Sequence, residues 1–144
     1  MSIDNNVRIE LAEGAEEIGL AVMLKDLLLQ NLADHPHKIT DFDRLNIPIG
    51  LTVSDADVAL TMAFENNGLT IYPGIRGAPG LNITAEAETV MDLSNVRIRW
   101  GLPHYFDEPG QAVLGAMRRG TLKIKGMLAH FPSLVRLSRV MSVH

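Results

Sequence analysis

The segment richest in reactive groups is Asp34-His35-Pro36-His37, with Asp41 and Asp43 close behind it. Two imidazoles flanking a proline can offer nitrogens to Zn²⁺ or Ni²⁺ if the loop points both the same way. A zinc centre needs at least one more protein ligand, which the local sequence does not supply, so a surface loop is the simpler reading. A small metal-dependent enzyme centred on His35 and His37 is the alternative function. A second cluster, His104-Tyr105-Phe106-Asp107-Glu108, combines a base, a phenol and two acids. No serine sits in a G-x-S-x-G elbow and no third group is placed to orient His104, so no triad assembles. Gly74-Ile75-Arg76-Gly77 has the form of the KH-domain clamp on nucleic acid, but that clamp joins two helices and here strand-like sequence flanks it. The chain has no cysteine, which removes disulfides, thiolate metal sites and cysteine nucleophiles. No phosphate loop or dinucleotide fingerprint is present, and no cofactor is expected.

What the chain has in quantity is apolar surface. Of its 144 residues 47% are hydrophobic before the 12 glycines are counted. The usual share is about 45–50% with glycine included. That length suits one domain over residues 1–144. The acidic start MSIDNNVRIELAEG lacks the pattern of a signal peptide, and the apolar run Ile18 to Leu24 ends at Lys25 well short of a membrane span. A soluble, cytoplasmic protein is expected.

Periodicity places the elements. Residues 15–33 read as one helix with Glu16 and Glu17 in its first turn, apolar on more than one side and therefore buried on more than one side. The segment DHPHKITDFD reads as a loop. In NIPIGLTVS and DVALTMAF apolar and smaller or polar residues alternate, as in half-buried strands. Glu-Asn-Asn-Gly then turns the chain into LTIYPG, because Asn-Gly tolerates the backbone angles of a tight hairpin. LNIT reads as a fourth strand, AEAETVMDLSN and PGQAVLGAMRRG as helices, GTLKIKG as a fifth strand, and residues 127–143 as a closing helix that Pro132 starts or kinks. The expected fold is α+β, a mainly antiparallel five-stranded sheet with helices on one face.

The order of these elements, with Leu81-Asn-Ile-Thr-Ala-Glu-Ala-Glu-Thr-Val-Met-Asp-Leu and Ala116-Met-Arg-Arg-Gly-Thr-Leu-Lys-Ile-Lys-Gly, resembles the sterol carrier protein-2 (SCP2) superfamily. The resemblance spans about residues 45–140 and is strongest over 81–126. Three features depart from the pattern: a longer link at Asn95 to Asp107, Met127 after Gly126, and Pro132 in the terminal helix. The resemblance implies an apolar tunnel between sheet and helices that takes a sterol, fatty acid, acyl-CoA or polyprenyl lipid and catalyses nothing.

Independently of any resemblance, burying an alkyl chain needs only volume and apolar walls, and methionine re-packs readily around different shapes. Met23, Met62, Met91, Met117, Met127 and Met141 fall in different expected elements. The expected ligand-binding set is Met23, Leu27, Met62, Phe64, Met91, Met117, Leu122, Ile124, Met127, Phe131 and Leu134, with no catalytic and no metal residue. Trp100, Tyr105 and Phe106 would form a portal or anchor the 95–107 insertion. Charge is uneven. Residues 109–144 hold six bases and no acid, while residues 1–108 hold 17 acids and 7 bases. The six bases read either as a solvated face paired with the acidic part or as a site of transient contact with an anionic membrane through Arg136 and Arg139; a partner enzyme is a further expectation and nucleic acid is not a partner.

Overall fold

Each of the sheet's main strands carries large apolar residues at every second position, so pairing them in register builds one continuous greasy face. The computed structural model describes residues 8–65, 68–90, 97–99, 102–104 and 115–141. Strands β1 (Arg8–Leu11), β2 (Pro48–Val53), β3 (Val58–Glu65), β4 (Gly68–Pro73), β5 (Leu81–Ala85) and β8 (Leu122–Lys125) form one sheet in the order β1-β4-β3-β2-β5-β8. A separate small hairpin pairs β6 (Arg97–Arg99) with β7 (Leu102–His104). Across the main sheet Ile49 stands opposite Met62 and Leu81, and Leu51 opposite Leu60 and Ile83. Phe64 meets Leu69 and Ile83 meets Ile124. All lie on the same face.

The α+β class holds, but the sheet is six-stranded and mixed rather than five-stranded and mainly antiparallel. β1 runs parallel to β4 and β2 parallel to β5, whereas β2–β3, β3–β4 and β5–β8 are antiparallel. The sixth strand, β1, is four residues long and pairs with a strand distant in sequence, so no local turn marks it.

The helices collect on the apolar face. The expected N-terminal helix divides: a 3-10 turn at Ala15–Glu17 carries the two glutamates, Ile18 is extended, and helix α1 runs Gly19–Asp34. Its buried residues Ala21, Leu24, Leu28, Asn31 and Leu32 make one stripe, while Val22, Met23 and Leu29 are exposed. Burial on several sides is thus corrected: this helix covers the core with one face only. The expected loop after it is mostly helical, a 3-10 turn at Pro36–Lys38 followed by helix α2 (Ile39–Arg44), whose Phe42 drives into the core. The closing helix α3 is Phe131–Met141, shorter than expected because residues 126–130 are a turn and Pro132 fits the helix start. Helix α3 packs against α1 and α2.

The glycines that bracket LKIK both have positive φ, 79° at Gly120 and 87° at Gly126. Gly120 closes helical residues 115–119: its N–H bonds to Met117 O and the Thr121 N–H to Ala116 O, the double hydrogen bond of a Schellman cap. At Gly126 any Cβ would collide with the carbonyl oxygen of Gly80, so the turn into α3 is pressed against the start of β5.

Candidate functional site

Among the described residues, an apolar groove opens at the end of the sheet where β2 turns into β3. Ser54 to Asp57 make that turn, and Asp57 takes φ 55°, a conformation aspartate tolerates better than bulkier residues. Beyond Ala85, the last residue of β5, the chain becomes helical at residues 87–90 and runs beside the turn. The first turn of α1 closes the third side. Between them lies an open groove of about 290 Å³, lined by Gly19, Leu20, Met23, Val53, Ala56, Val58, Ala87 and Val90. Every lining residue is apolar or glycine. The space exists because Gly19, Ala56 and Ala87 are small, and nothing stands within 4 Å of where a Gly19 Cβ would be.

Polar bonds outside the groove fix its walls. The Asp55 carboxylate accepts the Ala87 N–H at 2.9 Å, bridging the turn to the first of the helical residues, where negative charge also suits the helix dipole. The Ser54 N–H donates to Ala85 O at 2.9 Å. These two bonds hold Val53 and Ala56 opposite Ala87 and Val90 without placing a polar atom in the lining.

Of the expected ligand-binding set, Met23 lines this groove and is 38% exposed at its rim. Leu27, one turn along α1, is partly buried against the core. Met62, Phe64 and Leu122 are almost fully buried in the core under the helices, where Phe64 meets Phe42 edge to face at 5.9 Å. Met117, Ile124 and Leu134 are partly buried around that core and Met127 is half-buried. Phe131 is 50% exposed. Met91, Trp100 and residues 105–108 lie outside the described residues. The groove-lining residues other than Met23 escaped sequence reasoning, which looked for bulk, whereas a groove is signalled by alanine and glycine between apolar neighbours.

The histidine pair lies where α1 gives way to the next helical turn. His35 follows α1 and His37 sits in the 3-10 turn, their rings edge to face with centroids 5.8 Å apart. Among the described residues no three His, Cys, Asp or Glu side chains gather as metal ligands. Nearby, Lys38 is buried, which lowers its pKa against the opposing pull of Asp41. Arg139 on α3 donates to the Asp41 carboxylate at 2.9 Å and ties α3 to α2.

Asp43, also on α2, has a buried Oδ1 with no hydrogen-bond partner, and burial raises its pKa. The folded chain therefore holds this proton more tightly than the unfolded chain does. The charge costs nothing below the ordinary carboxyl range and weakens the fold as pH rises through the folded pKa. Asp43→Asn is expected to raise Tm at neutral pH, by an amount that shrinks as pH falls into the carboxyl range. Thermal melts of both proteins across that range check it, and a gain of equal size at every pH would show that ionisation is not the cause.

No family model matches the sequence, and no curated protein matches it. Solved structures do resemble the fold. A structure described as the UbiJ-SCP2 ubiquinone synthesis protein superposes with a TM-score of 0.60 at 17% identity, covering 88% of this chain and 98% of that one. A crystal structure of sterol carrier protein 2 superposes with a TM-score of 0.50 at 15% identity, covering 82% of this chain and 90% of that one.

Proposed function

Starting from this SCP2-like fold, we propose that the chain binds one long apolar ligand, an acyl, sterol or polyprenyl group, and catalyses no reaction on it. The observation that carries the reading is the groove beside α1, whose lining offers no group able to donate, accept or attack. Such a site recognises a ligand by the water it sheds, at roughly 0.8 kcal/mol per buried CH₂. Its volume lies at the small end of ligand sites, which run from about 300 Å³ upward. The groove therefore takes part of a chain, with Leu20, Met23, Val53 and Val90 as the principal contacts. The names of the two structural neighbours, one in ubiquinone synthesis and one a sterol carrier, agree with a lipid ligand. We place the protein in the cytoplasm as a carrier, or as an accessory presenting its lipid to a partner enzyme.

The test is a series of fatty acids of increasing length competing against a fluorescent fatty-acid probe. Each added methylene is expected to tighten Kd about fourfold until the groove is full, after which affinity levels off. The ligand should be recovered chemically unchanged. Affinity independent of chain length would contradict the reading. Affinity that instead depends on added zinc and is lost in His35→Ala with His37→Ala would favour the metal enzyme.

A further inference from the structure

We propose that the turn after β8, together with the outward lysines of that strand, is a docking surface for anionic lipid bilayers. The proposal rests on the lipid-binding reading only for its purpose, and its geometry lies at the opposite end of the sheet from the groove. Leu128 is 95% exposed and Phe131, three residues on, is 50% exposed. Isolated exposed apolar residues are ordinary on soluble proteins, but here one stands in the turn and the other is the first residue of α3, three positions on. The turn is held in place: Gly126 presses on the Gly80 carbonyl, and His130 packs beside Gly80. Ile75, 43% exposed, lies over Gly50 on the outer sheet face, in the cross-strand row that continues through Asn82 to Lys125.

Among the described residues, every Lys, Arg, Asp or Glu from the helical turn before β8 through the turn after it is a base. Lys123 and Lys125 are exposed and stand opposite Thr84 and Asn82, so neither faces an acid across the strand. Among the described residues neither lysine has a carboxylate within ion-pair reach. Arg118 and Arg119 add exposed positive charge just before β8. The acidic outer-face positions Glu10 and Glu65 belong to β1 and β3, on the other half of the sheet, and Glu86 follows β5 at the groove end, away from the turn that carries Leu128. Protruding apolar side chains inside a basic field match an interface with apolar depth and anionic headgroups. A second copy fits worse, because β8 is an edge strand and its lysines oppose strand-to-strand pairing. Arg139, expected from the sequence to help docking, is instead engaged with Asp41.

Co-sedimentation with phosphatidylcholine vesicles, with and without phosphatidylserine, tests the surface. The full chain should bind the anionic vesicles and lose most of that binding in 1 M salt, where the Debye length is about 3 Å. Lys123→Gln with Lys125→Gln should weaken binding about tenfold or more. Leu128→Ser alone should weaken it on anionic vesicles while leaving Tm unchanged, since that side chain touches almost nothing. Equal binding to both vesicle types, no binding to either, or wild-type binding by both variants would overturn the proposal. Fatty-acid-probe titration of the same proteins separates the two ideas: docking can fail with probe binding intact, and the groove can fail with docking intact.

Discussion

Ala56→Trp combined with Ala87→Phe is expected to reduce binding of a fatty-acid probe by more than tenfold while leaving the fold in place. Both alanines line the groove and both are solvent-exposed, so larger side chains there fill the ligand's space without crowding the core. Losing room for only two methylenes costs about 1.6 kcal/mol, already more than tenfold, and two aromatic rings remove more than that. The Asp55 bond to the Ala87 N–H involves the backbone and survives both changes. Circular dichroism and thermal melting check the fold, and probe titration checks the site. Unchanged affinity in a folded double variant would show that the ligand sits elsewhere.

The second large effect is on stability. Asn31 is buried near the C-terminal end of the α1 stripe, and its side-chain amide donates to both Val140 O and Met141 O at 3.0 Å. Those are carbonyls in the last turn of α3, where a helix has no N–H groups of its own left to offer. Asn31→Ala leaves two buried acceptors without partners at about 1–3 kcal/mol each. A total loss of about 3 kcal/mol, or roughly 10 °C in Tm, is expected. Asn31→Asp, nearly the same shape but with no donor, should be at least as damaging. Urea denaturation measures both. An aspartate variant as stable as wild type would mean that side-chain shape rather than donation holds α3 to α1.

These two cases also show what the sequence reveals and what it conceals. Alternation in β2, β3 and β4 made that part of the sheet legible, because antiparallel pairing of strands that follow one another is local; residues 66–67 of the expected turn lie outside the described residues. The parallel pairings of β1 with β4 and of β2 with β5 are set by contacts far apart in sequence, and a four-residue strand such as Arg8–Leu11 has too few alternations to announce itself. Asn31 reads in sequence as an unremarkable polar residue, and its role depends on α3 returning more than a hundred residues later. Met62, Phe64 and Leu122 illustrate the limit for the site: an apolar residue has the same sequence signature in a packed core as in a cavity wall. Met23, expected in the ligand-binding set as one of six methionines spread over different elements, stands at the rim of the groove, and nothing in its sequence surroundings distinguishes it from the buried Met62. The groove's other walls are Gly19, Ala56 and Ala87 among apolar neighbours, and their contribution is the volume they leave empty.

Native mass spectrometry of protein purified without detergent shows whether the chain is a receptacle for one apolar lipid. The expected spectrum shows a population carrying one lipid per chain, releasable by organic extraction as an intact molecule with a long apolar chain, and absent from the Ala56→Trp, Ala87→Phe variant. A wild-type chain that stays at its bare mass after incubation with fatty acids, or that carries stoichiometric metal instead, would contradict it.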